Sequence, residues 1–225
     1  MIKSIPGILL ASGLSTRFGS EKLLAHLPTG ERLLERSLRI HLQSTISPLV
    51  IVVSPNLAKI ISKDMEFLSI SRLRPMKGGN LWYNFESRWG KGRLAVNENF
   101  QQGISSSIQK GVLCLKDEEK DKGLLVSLAD LPLLKSKEID FFINKFLMNP
   151  EGILLPVYNH LPGHPVIIDF KQFKDDIINI TGDVGLRVIV KKNPGAVKEV
   201  PWQSNSVTWD IDNTEDLEKL EGLKL

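Results

Sequence analysis

Apolar residues along this chain fall into short runs that are separated by helical patterns. The runs at Leu49–Val53, Leu124–Leu128 and 153–157 are rich in branched side chains, and short runs of this kind between turn residues predict strands. The first of them is typical of a central strand that is buried on both faces. Residues 31–43 and 139–147 instead place apolar side chains three and four positions apart, which predicts amphipathic helices. The first helix is interpreted as a crossover between strands.

An earlier apolar run, at residues 5–10, predicts the first strand and ends abruptly in Ala11-Ser12-Gly13. The loop that follows it carries the clearest chemical signal. Hydroxyls, two cations and a second glycine follow the run, at Ser15, Thr16, Arg17, Gly19 and Lys22. Glycines let backbone N–H groups approach anionic oxygens, while a guanidinium can bind two oxygens and an ammonium supplies a movable charge. The pattern predicts a polyphosphate-binding loop, although its spacing matches neither the Walker motif nor GxGxxG. The alternative is a glycine-rich turn with surface charges.

Residues 8–22 resemble the signature of the nucleotidyltransferases with a mononucleotide-binding αβα fold, the MobA-like NTP transferases. They are most similar to the molybdenum cofactor cytidylyltransferases, which read Leu-Ala-Ala-Gly-x-Ser-x-Arg-x-Gly and then Lys. Ser12 stands where these usually have their second Ala and guanylyl-transferring relatives usually have Gly, so the resemblance favours cytosine. It implies catalytic roles for Arg17 and Lys22. It also implies a nucleotide-binding set of Leu10, Ala11, Ser12, Gly13, Ser15, Arg17 and Lys22.

A second motif, at 123–132, places a carboxylate just beyond a predicted buried strand. Asp130 follows Leu124–Leu128, and ligands of open α/β sheets bind at the carboxyl ends of strands. A carboxylate there suits a hard divalent cation that bridges phosphates. The motif resembles the family's Gly-Asp-Met-Pro, with Ala129 and Leu131 as replacements. The resemblance implies that Asp130 is catalytic and binds Mg²⁺, and a helix cap is the alternative.

The segment at 97–111, which precedes the Asp130 motif in the chain, resembles another family motif, in which serines open a helix. N–H groups and hydroxyls at a helix start can bind a phosphate or the polar edge of a nucleotide. The resemblance implies that Ser107 contacts the base or the ribose. Serine that simply caps the helix is the alternative.

The closing motifs imply the acceptor site and a second metal ligand. Gly163-His164-Pro165 and residues 182–187 resemble segments that face the acceptor, so His164, Asp183 and Arg187 are implied as acceptor-binding residues. The local pattern at 182–187 predicts a helix capped by Asp183. The alternating stretch at 207–212 leads into a helix predicted to be capped by Thr214. By family position Asp212 is the second Mg²⁺ ligand, with Asp210 as its substitute.

The segment at 74–94 shows no sustained period and is crowded with glycines, cations and two tryptophans, Trp82 and Trp89. It is predicted to be an insertion loop, because in the resembled family the chain usually passes directly from strand to motif here. A surface excursion that packs back onto the domain is one interpretation. A lid or a partner-binding flap is the other.

Composition narrows the class of protein further. A chain of 225 residues with 42% hydrophobic and 24% charged residues is ample for one α/β domain. The net charge of +3 gives no argument for nucleic acid. The lone Cys114 excludes an internal disulfide and suits a reducing compartment. No leader pattern and no run long enough to span a bilayer is present, so a cytoplasmic protein without a membrane partner is expected.

The resemblance covers nearly the whole chain and implies one nucleotidyltransferase domain over 1–225, a three-layer αβα Rossmann-like fold with a mostly parallel mixed sheet. The implied reaction transfers CMP from CTP to the phosphate of molybdopterin, with Mg²⁺ as cofactor. A client molybdoenzyme is a candidate partner. Three alternatives stay open: an NTP transferase with another phosphorylated acceptor, a non-catalytic molybdenum cofactor chaperone and, least favoured, a nucleic-acid-binding module.

Overall fold

A ten-stranded sheet forms the centre of the protein in a computed structural model, which describes residues 4–13, 18, 21–64, 68–75 and 81–223. The strands are β1 (Gly7–Ala11), β2 (Leu49–Val53), β3 (Leu68–Pro75), β4 (Leu81–Ser87), β5 (Gly90–Val96), β6 (Leu124–Leu128), β7 (Ile153–Tyr158), β8 (Leu161–Pro162), β9 (Val166–Ile168) and β10 (Val197–Pro201). Their order is β10-β7-β9-β6-β1-β2-β5-β4-β3, and β8 pairs with β7. Among these strands β4, β8 and β9 run against the rest, so the sheet is mixed and mostly parallel.

Helices cover both faces of the sheet. They are α1 (Leu33–Leu42), α2 (Pro55–Asp64), α3 (Ile104–Leu113), α4 (Ser136–Leu147), α5 (Phe170–Asn179), α6 (Arg187–Lys192) and α7 (Thr214–Glu218). Successive side chains of a strand point to opposite faces, so Leu9 of β1 joins a core cluster with α1 and α4. Its neighbour Ile8 joins a second cluster with α3 and α5. This arrangement confirms the predicted three-layer αβα fold.

The continuous apolar runs form the central strands with the predicted bounds. All residues of Leu49–Val53 are buried, and Leu124–Leu128 is buried except at its last residue. Such strands need no polar alternation because helices cover both faces. The predicted amphipathic helices are also present, as α1 and α4.

The prediction of a loop at 74–94 is wrong, because β4 and β5 form an antiparallel hairpin that extends the sheet. Trp82 pairs with Ala95 in this hairpin. The glycines misled the sequence interpretation, since a Cβ at Gly92 would lie 2.5 Å from Cζ of Phe85. Gly92 thus makes room for a buried ring inside a strand, and whether the segment is an insertion stays a prediction.

The carboxyl-terminal motif also differs from its predicted local structure. The alternating stretch at 207–212 begins in a short 3₁₀ helix, Asn205–Val207, and contains no strand. The cap of α7 is Asn213 rather than Thr214, and its side chain accepts a hydrogen bond from the Asp216 N–H. Within the described residues, no helix is long and apolar enough to cross a membrane.

The most deeply buried titratable group on α1 is His41. Its imidazole Nδ1 donates to the Ser37 carbonyl at 2.7 Å, and its Nε2 has no hydrogen-bond partner among the described residues. Burial lowers the pKa of His41 to about 4. The side chain is therefore neutral in the folded protein at neutral pH.

We predict that His41 makes the free energy of unfolding fall as the pH drops below 6.5. The unfolded chain binds this proton near pH 6.5 and the folded protein only near 4, so the folded state loses about 2 kcal/mol by pH 5. Urea unfolding of the wild type and His41→Leu between pH 7.5 and 4.5 measures this. The stability of the wild type relative to the variant should decline across that range. A constant difference between the two would contradict the prediction.

Candidate active site at the carboxyl edge of the sheet

The backbone brings three distant segments to one edge of the sheet. Because β1 and β6 are parallel neighbours, the residues that follow them meet at the same end. The N–H of Ala129 donates to the Leu10 carbonyl at 3.0 Å, and the N–H of Ile211 donates to the Asp130 carbonyl at 3.0 Å. Asp130 and Asp212, which are far apart in the sequence, therefore both lie near the end of β1.

Lys22 lies between these two carboxylates. Its Nζ donates to Asp130 Oδ2 at 2.8 Å and lies 3.8 Å from Asp212 Oδ1. The Lys22 and Asp130 side chains are only 12% and 19% exposed, so solvent screens their attraction less than at the surface. The Lys22 ammonium thus lies between two carboxylates, and the three predicted residues form one cluster.

The cluster has further capacity for a cation. Asp130 Oδ1 is buried and has no hydrogen-bond partner among the described residues, which is costly unless a ligand binds it. Burial raises the pKa of Asp210, and the charges of Asp130 and Asp212 raise it further, so the local potential is negative. No set of three His, Cys, Asp or Glu side chains in the described ranges could hold a metal alone. Two carboxylates fit Mg²⁺ when it is shared with phosphates.

A cleft of about 610 Å³ opens beside this cluster, which is in the usual size range of ligand sites. Its lining includes the following predicted nucleotide-binding or metal-binding residues: Leu10, Ala11, Ser12, Gly13, Lys22, Ser107, Asp130 and Asp212. Ser15 and Arg17 lie outside the described residues, so their predicted roles stay predictions. Leu23 and residues 100–104 complete much of the wall. The sequence interpretation did not name them, because apolar and amide side chains give no signal of their own.

A chain of hydrogen bonds orients the two serines of the cleft. The Asn97 Oδ1 accepts from the Asn99 N–H at 3.0 Å, which places its Nδ2 toward Ser106 and Ser107, each at 2.9 Å. The hydroxyls of Ser12 and Ser107 are 2.6 Å apart. The two hydroxyls carry two hydrogens, and one of them forms the bond between Ser12 and Ser107. Because Ser107 accepts from the Asn97 amide, the second hydrogen can be donated to a ligand. The pair can therefore donate to an acceptor atom in the cleft.

The predicted acceptor residues do not all face the same cavity. His164 and Arg187 line a second, largely apolar cavity of about 320 Å³, which shares Leu10 and Ile104 with the cleft. Burial lowers the pKa of His164, so its imidazole is neutral at neutral pH. Asp183 lines the cleft of about 610 Å³ beside Lys22 instead.

The prediction that Asp183 caps the helix that follows it is wrong. Helix α6 begins at Arg187, after Leu186, and has no side-chain cap. Asp183 Oδ1 instead accepts a hydrogen bond at 3.0 Å from the Ile104 N–H, at the start of α3. The partner is 79 residues away in sequence, so no local pattern could have shown it.

A family model described as the MobA-like NTP transferase domain matches residues 7–197. The chain belongs to this family. Over 223 residues it is 23% identical to a nicotine blue oxidoreductase of Paenarthrobacter nicotinovorans, with 96% of each chain covered. Over 167 residues it is 25% identical to a molybdenum cofactor cytidylyltransferase of Escherichia coli strain K12, covering 74% of this chain and 71% of that one.

Solved structures show the same fold. Rv0371c from Mycobacterium tuberculosis H37Rv superposes with a TM-score of 0.75 at 18% identity, covering 98% of this chain and 100% of the other. The same protein in complex with manganese gives a TM-score of 0.71 at 17% identity, with 98% and 100% covered. The predicted nucleotidyltransferase family and fold are therefore confirmed. The edge of the sheet that carries the Lys22 cluster is the candidate active site of this MobA-like NTP transferase.

Behind the site, a buried arginine joins two of its segments. Arg36 of α1 is 4% exposed, and its Nε donates to the carbonyl of Pro132. Its Nη1 lies 3.2 Å from Glu31, whose carboxylate also accepts from Arg39 at 2.7 Å. Arg36 therefore ties the turn after Asp130 to the chain that follows Lys22. The sequence interpretation missed it, because a charged residue within an amphipathic helix is usually exposed.

We predict that Arg36→Met lowers the free energy of unfolding by about 1–3 kcal/mol, since it leaves the buried Pro132 carbonyl without its donor. Arg39→Met removes a second charge from the same Glu31 but touches no carbonyl of this turn, and it should cost less than about 1 kcal/mol. Urea unfolding of both variants gives the comparison. Equal losses would contradict the assigned role of Arg36.

Proposed function

We propose that this MobA-like NTP transferase transfers CMP from CTP to the terminal phosphate of a molybdopterin-type acceptor and releases pyrophosphate. The observation that carries the proposal is the Lys22 ammonium held between the Asp130 and Asp212 carboxylates. These groups lie beside the loop after β1, which contains Gly13, in a cleft of suitable size. Phosphoryl chemistry needs such positioned charges more than it needs covalent catalysis.

Asp130 and Asp212 are the residues that would hold Mg²⁺. The buried, unpaired Asp130 Oδ1 supports this assignment, as does the ammonium that sits between the acids. The likeness in fold to Rv0371c, which has been solved with manganese, is a further supporting point. Mg²⁺ bound there would offset the negative charge of the phosphate oxygens.

The triphosphate belongs on the loop after β1. The first N–H groups of α3 are already occupied, because Ile104 N–H donates to Asp183 and Ser105 N–H donates to the Gly182 carbonyl. We therefore propose that the loop between Ser12 and Lys22, whose sequence predicts polyphosphate binding, supplies the anion-binding groups. We assign the β- and γ-phosphates to its N–H groups and Arg17. Lys22 stabilises the charge that grows at the α-phosphate.

The transfer itself needs no general base. An oxygen of the acceptor phosphate is already anionic and attacks the α-phosphorus in line. As that P–O bond forms, the bond between the α-phosphorus and the bridging oxygen breaks, and pyrophosphate leaves with the electron pair. On the acceptor side, Arg187 pairs with anionic or carbonyl oxygens. His164, neutral because burial lowers its pKa, offers a hydrogen bond without a charge.

Cytosine is the proposed base. Ser12 stands where cytidylyltransferases of the family usually have Ala, and the relative from E. coli is a molybdenum cofactor cytidylyltransferase. The hydrogen that Ser12 and Ser107 keep between them suits an acceptor such as the cytosine carbonyl or a ribose oxygen. These observations together favour CTP over the other nucleotides.

A reductase is the second candidate, because the relative matched over 96% of both chains is a nicotine blue oxidoreductase. Hydride transfer depends on a cofactor or reduced donor and makes no special demand on two acids around a lysine. The Lys22 cluster therefore favours nucleotidyl transfer. The chaperone alternative loses its main argument, since Trp82 lies in β4, which pairs with β5 as part of the sheet.

We predict that Asp130→Ala and Lys22→Ala each lower pyrophosphate release by at least about 100-fold, since each removes charge stabilisation in the transition state. Release is measured with CTP, GTP, ATP and UTP in turn, with Mg²⁺ and purified molybdenum cofactor. Asp121→Ala and Lys63→Ala serve as controls, because both residues are exposed and neither lines the cleft. Near wild-type release by either site variant would remove that residue from the mechanism.

The nucleotide panel also separates the candidates. Release with CTP alone, dependent on the cofactor, supports the full proposal. Release with another nucleotide or acceptor corrects the base or the acceptor. Oxidation of NADH or NADPH without any pyrophosphate release would overturn the proposal in favour of a reductase.

We predict that the two acids contribute unequally to cation binding. Asp130 is 19% exposed and Asp212 46% exposed, and a buried ligand competes less with water. Asp130→Asn should abolish Mg²⁺-dependent release, while Asp212→Asn should raise the half-activating Mg²⁺ concentration by about tenfold. A Mg²⁺ titration of each variant tests this order. Unchanged half-activation in both variants would contradict the assignment of the metal site.

A further inference from the structure

Residues Gly182–Gly185, here called the strap, lie across the start of α3. Besides the bond from the Ile104 N–H to Asp183, the Ser105 N–H donates to the Gly182 carbonyl at 3.3 Å. In the reverse direction, the Gly185 N–H donates to Ser105 Oγ at 3.3 Å. Three hydrogen bonds thus connect three of the four strap residues to the first two residues of the helix.

The backbone of the strap lies in close contact with Gly103, the residue before α3. A Cβ at Gly103 would lie 2.6 Å from the Gly182 carbonyl carbon and 2.7 Å from the Asp183 nitrogen. Gly103 also has a φ of +93°, and Gly182 and Gly185 have φ values of +73° and +55°. Such angles favour glycine, so the contact between strap and helix requires glycine on both sides.

The start of α3 is also a wall of the nucleotide cleft. Gly103, Ile104 and Ser107 line it, and Ser107 lies one turn after Ile104. The Ser107 hydroxyl meets Ser12 and Asn97 at 2.6 and 2.9 Å, distances that a shift of the first turn would disrupt. The geometry of the cleft therefore depends on how the helix start is held.

We propose that Asp183 is a positioning residue for the nucleotide rather than a ligand of the acceptor. Its carboxylate caps α3 across the chain and holds the first turn, so that Ser107 keeps its place beside Ser12. A negative charge at a helix N-terminus also stabilises the helix. This inference rests on the proposed nucleotidyl transfer, but it assigns Asp183 to the opposite side of the reaction from the one that the sequence implied.

The first test examines the cap without any ligand. Amide hydrogen exchange of the α3 peptide is measured in the wild type, Asp183→Ala and Asp183→Asn. Loss of the cap should speed exchange at 104–107 by about tenfold in Asp183→Ala, whereas Asp183→Asn keeps an acceptor oxygen and should stay within about threefold. Equal exchange in the wild type and Asp183→Ala would overturn the proposal, whatever the activity of the protein.

The second test separates the two sides of the reaction. The affinity for CTP and for GTP, each with Mg²⁺ and without acceptor, is measured by calorimetry. Asp183→Ala should weaken binding of the preferred nucleotide by about fivefold to tenfold, and Asp183→Asn should restore most of it. Asp175→Ala removes an equal charge from an exposed position on α5 and should leave the affinity unchanged.

The outcomes distinguish this inference from the proposed function. Unchanged nucleotide affinity in Asp183→Ala, combined with a raised KM for the acceptor, would make Asp183 an acceptor ligand and overturn the inference. Failure of the wild type to bind any nucleotide would instead remove the proposed function. The exchange measurement would still decide whether Asp183 holds α3.

Discussion

The attraction between the Lys22 ammonium and the Asp130 carboxylate, at 2.8 Å, is the interaction on which the site depends. It joins the loop after the first strand to the turn after the sixth, two segments that are 108 residues apart. It is possible because β1 and β6 are parallel neighbours that end at the same edge. Together with Asp212, these side chains form a small charged cluster in which Lys22 and Asp130 are largely shielded from solvent. A polyphosphate with its cation has the charges that complement such a cluster.

Residues outside the Lys22 cluster hold much of the candidate site in place. Arg36 holds the turn after Asp130 from the side of α1, Asn97 orients the serines, and Asp183 caps the helix that carries Ser107. Each satisfies buried or terminal backbone and hydroxyl groups that would otherwise be costly to leave unpaired. The catalytic groups gain precision from this surrounding network, since small displacements weaken positioned charges strongly.

Similarity establishes different things at different levels. The family model over residues 7–197 shows membership of the MobA-like NTP transferases, and structures at 17–18% identity show the fold. Relatives at 23% and 25% identity include an oxidoreductase and a cytidylyltransferase, so one architecture supports more than one chemistry. The proposed nucleotidyl transfer therefore rests on this protein's own cluster of Lys22, Asp130 and Asp212.

The sequence by itself determined the central strands, the order of the family motifs and the acid that follows β6. These are local signals, because a continuous apolar run such as Leu49–Val53 can be buried only inside a covered sheet. Tertiary structure alone decided that Leu81–Ser87 and Gly90–Val96 form strands, where Gly92 makes room for Phe85. It alone also decided that Asp183 caps a helix 79 residues away and that Arg36 is buried. These roles depend on partners distant in sequence, and no local pattern encodes which distant donor or acceptor a side chain will meet.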